Sequence, residues 1–204
     1  MHKAMIIGLT GPTGAGKSTA CAAMRDSGCA VIDADQVARE VVRSDSPCLE
    51  ELTKAFGRDI LRPDGMLSRS QLAQKAFSSH EATARLNAVT HPYIMRAVQQ
   101  QIEALKERGA RFIVLDAPLL FESGADKLCD VVVAVTAPLE LRLKRIMQRD
   151  GISREAAEKR IGAQREEDYY TLRARYVLDG AGKPGDLYHD ACGLIEVLRE
   201  ESDV

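Results

Sequence analysis

The sequence predicts an α/β fold, a mostly parallel sheet covered by helices in three layers. Three observations predict it. Met5-Ile6-Ile7-Gly8-Leu9, Phe112-Ile113-Val114-Leu115-Asp116 and Val131-Val132-Val133-Ala134-Val135 are continuous apolar runs, the pattern of parallel strands buried on both faces. A glycine-rich turn, a helical stretch and a second short strand, Ala30-Val31-Ile32-Asp33, follow the first run in the order of a βαβ unit. Helical periodicities with clear stop signals separate the remaining runs.

The elements are justified in chain order. Lys17 to Ser27 reads as a helix that stops near Gly28, and Gln36 to Val42 and Cys48 to Phe56 as two more, the latter ended by Gly57. Arg62-Pro63-Asp64-Gly65 is a turn signal. Ser68 with Gln71 predicts a capping box for the next helix. Pro92 suits the first turn of a further helix, whose Ile94, Val98, Ile102 and Leu105 share a face until Gly109. Pro138 opens a helix to about Arg149, Ser153 caps another to about Gln164, Tyr176-Val177-Leu178 is an edge or final strand, and Asp186 to Arg199 is a surface helix.

Composition bounds the function. The 204 residues carry 28 Lys+Arg against 30 Asp+Glu, with 45% hydrophobic, 28% charged and 4% aromatic residues and no Trp. This excludes disorder and argues against a generic nucleic-acid binder, which needs a basic excess and stacking rings. No apolar stretch of roughly 18 residues predicts a membrane span. Met1-His2-Lys3-Ala4 and the run after it lack a cleavage pattern, so no signal peptide and a cytoplasmic protein are expected. Five cysteines without Cys-x-x-Cys spacing point to reduced thiols. The length suits a single domain. We expect a core of about 1–41, 109–138 and 176–204, a helical region of about 42–108, and a charge-dense lid of about 139–175.

Gly11-Pro12-Thr13-Gly14-Ala15-Gly16-Lys17-Ser18 fits the phosphate-binding pattern G-x-x-x-x-G-K-[ST]. Glycines let backbone N–H groups turn inward around phosphate oxygens, and the helix start adds its positive end. The Lys17 ammonium neutralises β/γ-phosphate charge, and the Ser18 hydroxyl is placed to ligate Mg²⁺. Thr19 either helps hold the nucleotide or packs in the first turn. The motif makes the fold a P-loop NTPase/kinase fold with ATP and Mg²⁺ as expected cofactors. No Asn-Lys-x-Asp segment for reading guanine is present, and the length favours a small-molecule kinase.

Asp33 ends the second strand, where ligands bind in open α/β sheets. Its carboxylate could accept a proton from an attacking hydroxyl, or it could cap the next helix. Asp116 ends a buried strand and is a candidate Mg²⁺ ligand, or an ordinary strand-end carboxylate. Arg142, Arg145 and Arg149 share a helix face at i, i+3, i+7. Such a stripe either clamps phosphoryl oxygens or is merely solvated.

The residues past the loop narrow the reading. Gly8-Leu9-Thr10-Gly11 with the P-loop, Ile32-Asp33-Ala34-Asp35 with Ala38-Arg39, His91-Pro92, and Asp116-Ala117-Pro118-Leu119-Leu120-Phe121-Glu122 occur in this order. Lys144-Arg145, Gln148-Arg149-Asp150, Ser153, Arg160-Ile161 and Gln164 complete the pattern. Across nearly its whole length the chain resembles the dephospho-coenzyme A kinases. The resemblance implies phosphorylation of the ribose 3′-hydroxyl of dephospho-coenzyme A by ATP, the last step of coenzyme A synthesis. It implies that Asp33 handles the hydroxyl proton, that Arg145 and then Arg149 act from the lid, and that His91, Leu119 and Phe121 lie on the acceptor side. A monomer or small homo-oligomer with no nucleic-acid or membrane partner is expected.

Two departures from the family pattern stand out. Pro12 replaces a glycine and cannot donate an N–H to phosphate. The late segment Leu178-Asp179-Gly180-Ala181-Gly182 lacks the asparagine expected near the adenine. Another small-molecule or nucleotide kinase, and a nucleotide-dependent switch that barely turns over, remain the alternatives.

Overall fold

The computed structural model describes residues 4–183 and 185–202, so the Met1-His2-Lys3 lead lies outside the described residues. The chain forms two compact units, Met1–Ile32 with Leu105–Val204, and Asp33–Ala104.

The first unit is built on strands β1 (Met5–Thr10), β3 (Phe112–Asp116), β4 (Val131–Thr136) and β5 (Tyr176–Asp179), with β2 (Ala30–Asp33) at the other edge. The parallel sheet has the order β2-β3-β1-β4-β5. Because side chains alternate across a strand, Ile7, Leu9, Val114, Val133 and Val135 point to one face. There they meet Ala20 and Met24 of α1 (Lys17–Asp26) and Leu194, Ile195 and Leu198 of α9 (Asp186–Ser202). On the opposite face Gly8 leaves room for Leu120 and Cys129, which a Cβ there would overlap. The register sets Leu9 beside Asp116 and Thr10 beside Ala134. The strand order reverses at β1, so the loop after β1 opens into the switch-point crevice where such sheets bind ligands.

Helices α6 (Leu139–Asp150), α7 (Arg154–Gly162) and α8 (Glu167–Thr171) follow β4. Leu143, Ile146 and Ala157 form a small cluster that joins α6 to α7. Ser153 caps α7 as expected, its side chain accepting from the Ala156 N–H. The five-residue α8 is too short to leave a periodic signal and was not predicted.

The second unit contains α2 (Ala34–Glu40), α3 (Pro47–Phe56), α4 (Arg69–Ala76) and most of α5 (His80–Glu107). Its core joins Cys48, Leu52, Phe56, Ile60, Leu72 and Ala76. Val41 and Val42 pack against this cluster, and the unit begins at Asp33.

Two local expectations are corrected. The capping box at Ser68 does not form: Ser68 is the N-cap of α4 but makes no side-chain cap bond, and its hydroxyl lies 3.3 Å from that of Ser70. Pro92 does not start a helix; it lies inside the 28-residue α5. That helix starts instead where the Ser79 hydroxyl accepts from the Ala82 N–H. The proline removes one backbone donor, yet the helix continues because packing holds it on either side. Val89 and Tyr93 join the second unit's core, and Val98 and Ile102 are buried further along.

Candidate active site

The P-loop is shaped by its glycines. Gly11, Gly14 and Gly16 take φ of 141°, 80° and 113°, values that side chains other than glycine rarely adopt. The Ala15 N–H donates to the Pro12 carbonyl at 3.2 Å. This closes a turn whose third residue is Gly14, the position where a type II turn requires positive φ. Pro12 is buried and contributes only its carbonyl to the turn. The proline therefore fits the loop, at the loss of one phosphate donor.

Gly16 begins α1 without any side-chain cap and without an acidic residue in the first turn. The helix start therefore keeps its free N–H groups and positive end for an anion. The Ser18 and Thr19 side chains stand exposed in that first turn. The Lys17 ammonium donates to Asp116 at the end of neighbouring β3. Both side chains are mostly shielded, at 18% and 15% exposure. A shielded pair of this kind holds the lysine at the mouth of the loop and an acidic oxygen beside it. Oxygen donors from Asp116 and the exposed Ser18 suit a hard cation that keeps phosphate and water as its other ligands. Among the described residues no group of three or more His, Cys, Asp or Glu side chains could hold a metal by itself.

Two of the three arginines of the stripe turn inward, and the third stays exposed. Arg142 is only 6% exposed, and its Nε donates to the Thr13 carbonyl at 2.9 Å. Burial lowers its pKa below the ordinary arginine value, and one of its terminal nitrogens is buried without a partner among the described residues. Arg145 donates to the carbonyls of Gly14 (3.2 Å), Ala15 (3.1 Å) and Gly180 (2.7 Å). The two arginines thus occupy the carbonyls of Thr13, Gly14 and Ala15. Arg149 does not reach the loop: it grips Asp150 through two bonds of 2.8 and 2.9 Å, and Arg160 holds the same carboxylate. These arginines hold the Asp150 carboxyl down at about 2.

Two further contacts escaped the sequence reading. The Thr13 N–H donates to the Gln164 side-chain oxygen at 2.9 Å, so a residue just past α7 occupies an acceptor position at the loop. The Gly180 N–H donates to the Thr136 carbonyl at 2.7 Å, and a Cβ on Gly180 would overlap the Ala15 carbonyl oxygen. The late segment thus presses its backbone onto the P-loop, while Asp179 accepts from the Ala181 N–H. Only the order of residues in the resembling pattern marked Gln164, and nothing in the local sequence marked the contact at Gly180.

The residues expected on the acceptor side differ in their surroundings. Leu119 is 59% exposed, whereas Leu120 is fully buried. Phe121 stacks edge-on against Tyr169 of α8 with ring centroids 5.9 Å apart. In the second unit, Asp33 is exposed and caps α2, its Oδ1 accepting from the Gln36 N–H at 3.0 Å. Capping uses one oxygen of the carboxylate. His91 is half-buried within α5, and burial lowers its pKa.

The chain is similar to known proteins along most of its length. A model of the dephospho-CoA kinase family matches residues 5–185. The chain is 43% identical over 193 residues to the dephospho-CoA kinase of Corynebacterium glutamicum, covering 94% of this chain and 96% of that protein. It is similar to the crystal structure of TT1252 from Thermus thermophilus, with a TM-score of 0.80, 36% identity and 98% of each chain covered. It is also similar to the dephospho-CoA kinase from Campylobacter jejuni, with a TM-score of 0.70, 29% identity and 97% of each chain covered. A parallel sheet with a P-loop at its switch point, and likeness sustained from the first strand to the last, lead to one conclusion: the chain belongs to the dephospho-CoA kinase family.

Proposed function

We propose that the protein transfers the γ-phosphoryl group of ATP to the ribose 3′-hydroxyl of dephospho-coenzyme A, completing coenzyme A. The observation that carries the reading is the shielded Lys17–Asp116 pair beside a loop of positive-φ glycines. It presents a cation, an acidic oxygen and a free helix start to one phosphate chain.

In this reading the backbone of 12–16 cradles the phosphates, with Lys17 neutralising them and Ser18 and Thr19 following in the first turn. Mg²⁺ held by Ser18 and Asp116 would neutralise charge on the phosphoryl oxygens. Asp33 accepts the proton of the attacking hydroxyl or holds that hydroxyl in line. Arg145 fixes the loop through its carbonyls and adds positive charge beside the transferring group. The α6–α8 segment acts as a lid that excludes water. Arg149 joins the nucleotide only on leaving Asp150. Leu119, Phe121 and His91 belong to the acceptor side. We place the reaction in the cytoplasm. Among the described residues no helix is long and apolar enough to cross a membrane.

The test is ADP release across a panel of acceptors. Turnover with dephospho-coenzyme A and neglect of nucleoside monophosphates is the expected result; the reverse pattern would overturn the assignment. A nucleotide-dependent switch predicts instead that no acceptor stimulates ADP release.

A further inference from the structure

Two consecutive peptides of the phosphate loop are held from outside it. The Pro12–Thr13 peptide places its N–H on the Gln164 side-chain oxygen at 2.9 Å and its carbonyl under the Ala15 N–H at 3.2 Å. The Thr13–Gly14 peptide accepts at its carbonyl from the Arg142 Nε, also at 2.9 Å. Gln164 stands just past α7 and Arg142 in α6, so two elements grip Thr13 by both of its backbone groups. Close packing reinforces the second grip. A Cβ on Gly14 would sit 3.0 Å from the Arg142 Cα and 2.9 Å from its carbonyl oxygen, so the α6 backbone lies directly against the loop.

This grip decides which donor the loop keeps. Pro12 has no N–H. The N–H groups of Thr13 and Ala15 are spent on Gln164 and on the Pro12 carbonyl. Of residues 12–15 only Gly14 has an N–H without a partner among the described residues. No peptide bond among the described residues is cis. In a trans peptide the N–H points opposite to the C=O. Holding the Thr13 carbonyl therefore aims the Gly14 N–H away from Arg142.

A neutral donor would be enough to hold a carbonyl, yet the residue here is a guanidinium. Arg142 is 6% exposed, makes no ion pair among the described residues and has one terminal nitrogen without a partner there. A buried charge in that state costs stability. It also has an effect that a neutral donor lacks. A cation on the Thr13 carbonyl polarises the peptide and strengthens the Gly14 N–H at its other end as a donor.

We infer that Arg142 and Gln164 are positioning residues for nucleotide binding: they fix the peptides on either side of Thr13 and present the Gly14 N–H to a phosphate oxygen. The inference rests on the reading of the loop as an ATP site and extends it to two side chains that act through the backbone.

The test uses Arg142→Met, Arg142→Gln, Gln164→Leu and the double variant Arg142→Met/Gln164→Leu in the full chain. Calorimetric titration with ADP and Mg²⁺ should show binding roughly tenfold weaker in Arg142→Met and in Gln164→Leu. Arg142→Gln retains a neutral donor and should fall between Arg142→Met and the wild type. Because both side chains act on one residue, the double variant should bind about as weakly as the worse single, not with the ~hundredfold loss of independent sites. Turnover should show a raised KM for ATP, with the KM for dephospho-coenzyme A within about twofold of the wild type. Arg142→Met should melt no lower than the wild type, since it removes a buried unpaired charge. Should Arg142→Met fail to fold, Arg142→Gln and Gln164→Leu still measure the effect on nucleotide affinity. Unchanged ADP affinity, a full product of the two losses in the double variant, an equal rise in both KM values, or a lower melt with affinity intact would each overturn the assignment. If the wild type failed to phosphorylate dephospho-coenzyme A, the functional reading would fall while the ADP titration still judged the grip on Thr13.

Discussion

Asp33 caps α2, and a single substitution separates that role from the catalytic one proposed for it. Its Oδ1 accepts from the Gln36 N–H and so caps α2. Asparagine caps a helix as well as aspartate does but cannot take a proton. Asp33→Asn should therefore keep the melting temperature and ATP affinity while lowering kcat by roughly 10²-fold or more. Near wild-type kcat would remove Asp33 from the chemistry. Gly180 offers a second test at this scale. A methyl group there would overlap the Ala15 carbonyl oxygen, and backbone cannot step aside as a side chain can. Gly180→Ala should destabilise the protein by about 1–3 kcal/mol and weaken ATP binding, as denaturant melts and nucleotide titration would show. The double reading of Asp33 was open in the sequence, because strand-end position and helix-start position coincide there. The need for glycine at 180 was not, since it arises from a residue far away in the chain.

Among the elements, α5 and the α6–α7 segment depart most from local expectation. Pro92 costs the 28-residue α5 one backbone hydrogen bond, and the helix persists through its packed faces. Pro92→Ala restores the donor and the better helix former. It should stabilise the protein by up to about 3 kcal/mol in denaturant melts. Unchanged or lower stability would mean that the helix depends on the proline. Where α6 meets α7, Arg149 and Arg160 converge on Asp150 and hold its carboxyl at about 2, with hydrogen bonding to Arg149 the largest cause. The folded pKa is depressed, so this cluster contributes fully above the ordinary aspartate value near 4. Its contribution is lost as pH falls from there through about 2. Proteolysis of the α6–α7 junction should therefore stay flat from pH 8 to 5 and accelerate below about 4. In Asp150→Asn the cut should be faster at pH 7 and lose its acid dependence. Helices α6 and α7 were visible in the sequence through Pro138 and Ser153. The choice of Asp150 as Arg149's partner was not, because it reflects the turn at Gly151 that brings α7 back against α6.

For the whole molecule, the thiols give a test that depends on burial throughout the fold. Burial pushes Cys21, Cys29 and Cys48 up to about 11 and Cys129 up to about 12. These four should resist iodoacetamide at pH 7.5 in the folded protein and react once it is unfolded, as mass spectrometry would read. The sequence by itself determined the layers, the strand set and the P-loop, because these follow from local rules. Buried parallel strands must be apolar along their whole length. A phosphate cradle needs its glycines and lysine at fixed spacing. Only the tertiary structure decided that Arg142 and Arg145 of α6 turn inward to the carbonyls of Thr13, Gly14 and Ala15. A helix pattern shows which residues share a face but not what that face meets, and here it met backbone oxygens that an apolar side chain could not satisfy. The same holds for the lysine and aspartate of the site. Each was legible alone, but their pairing came from the β1–β3 register that sets the two strand ends side by side.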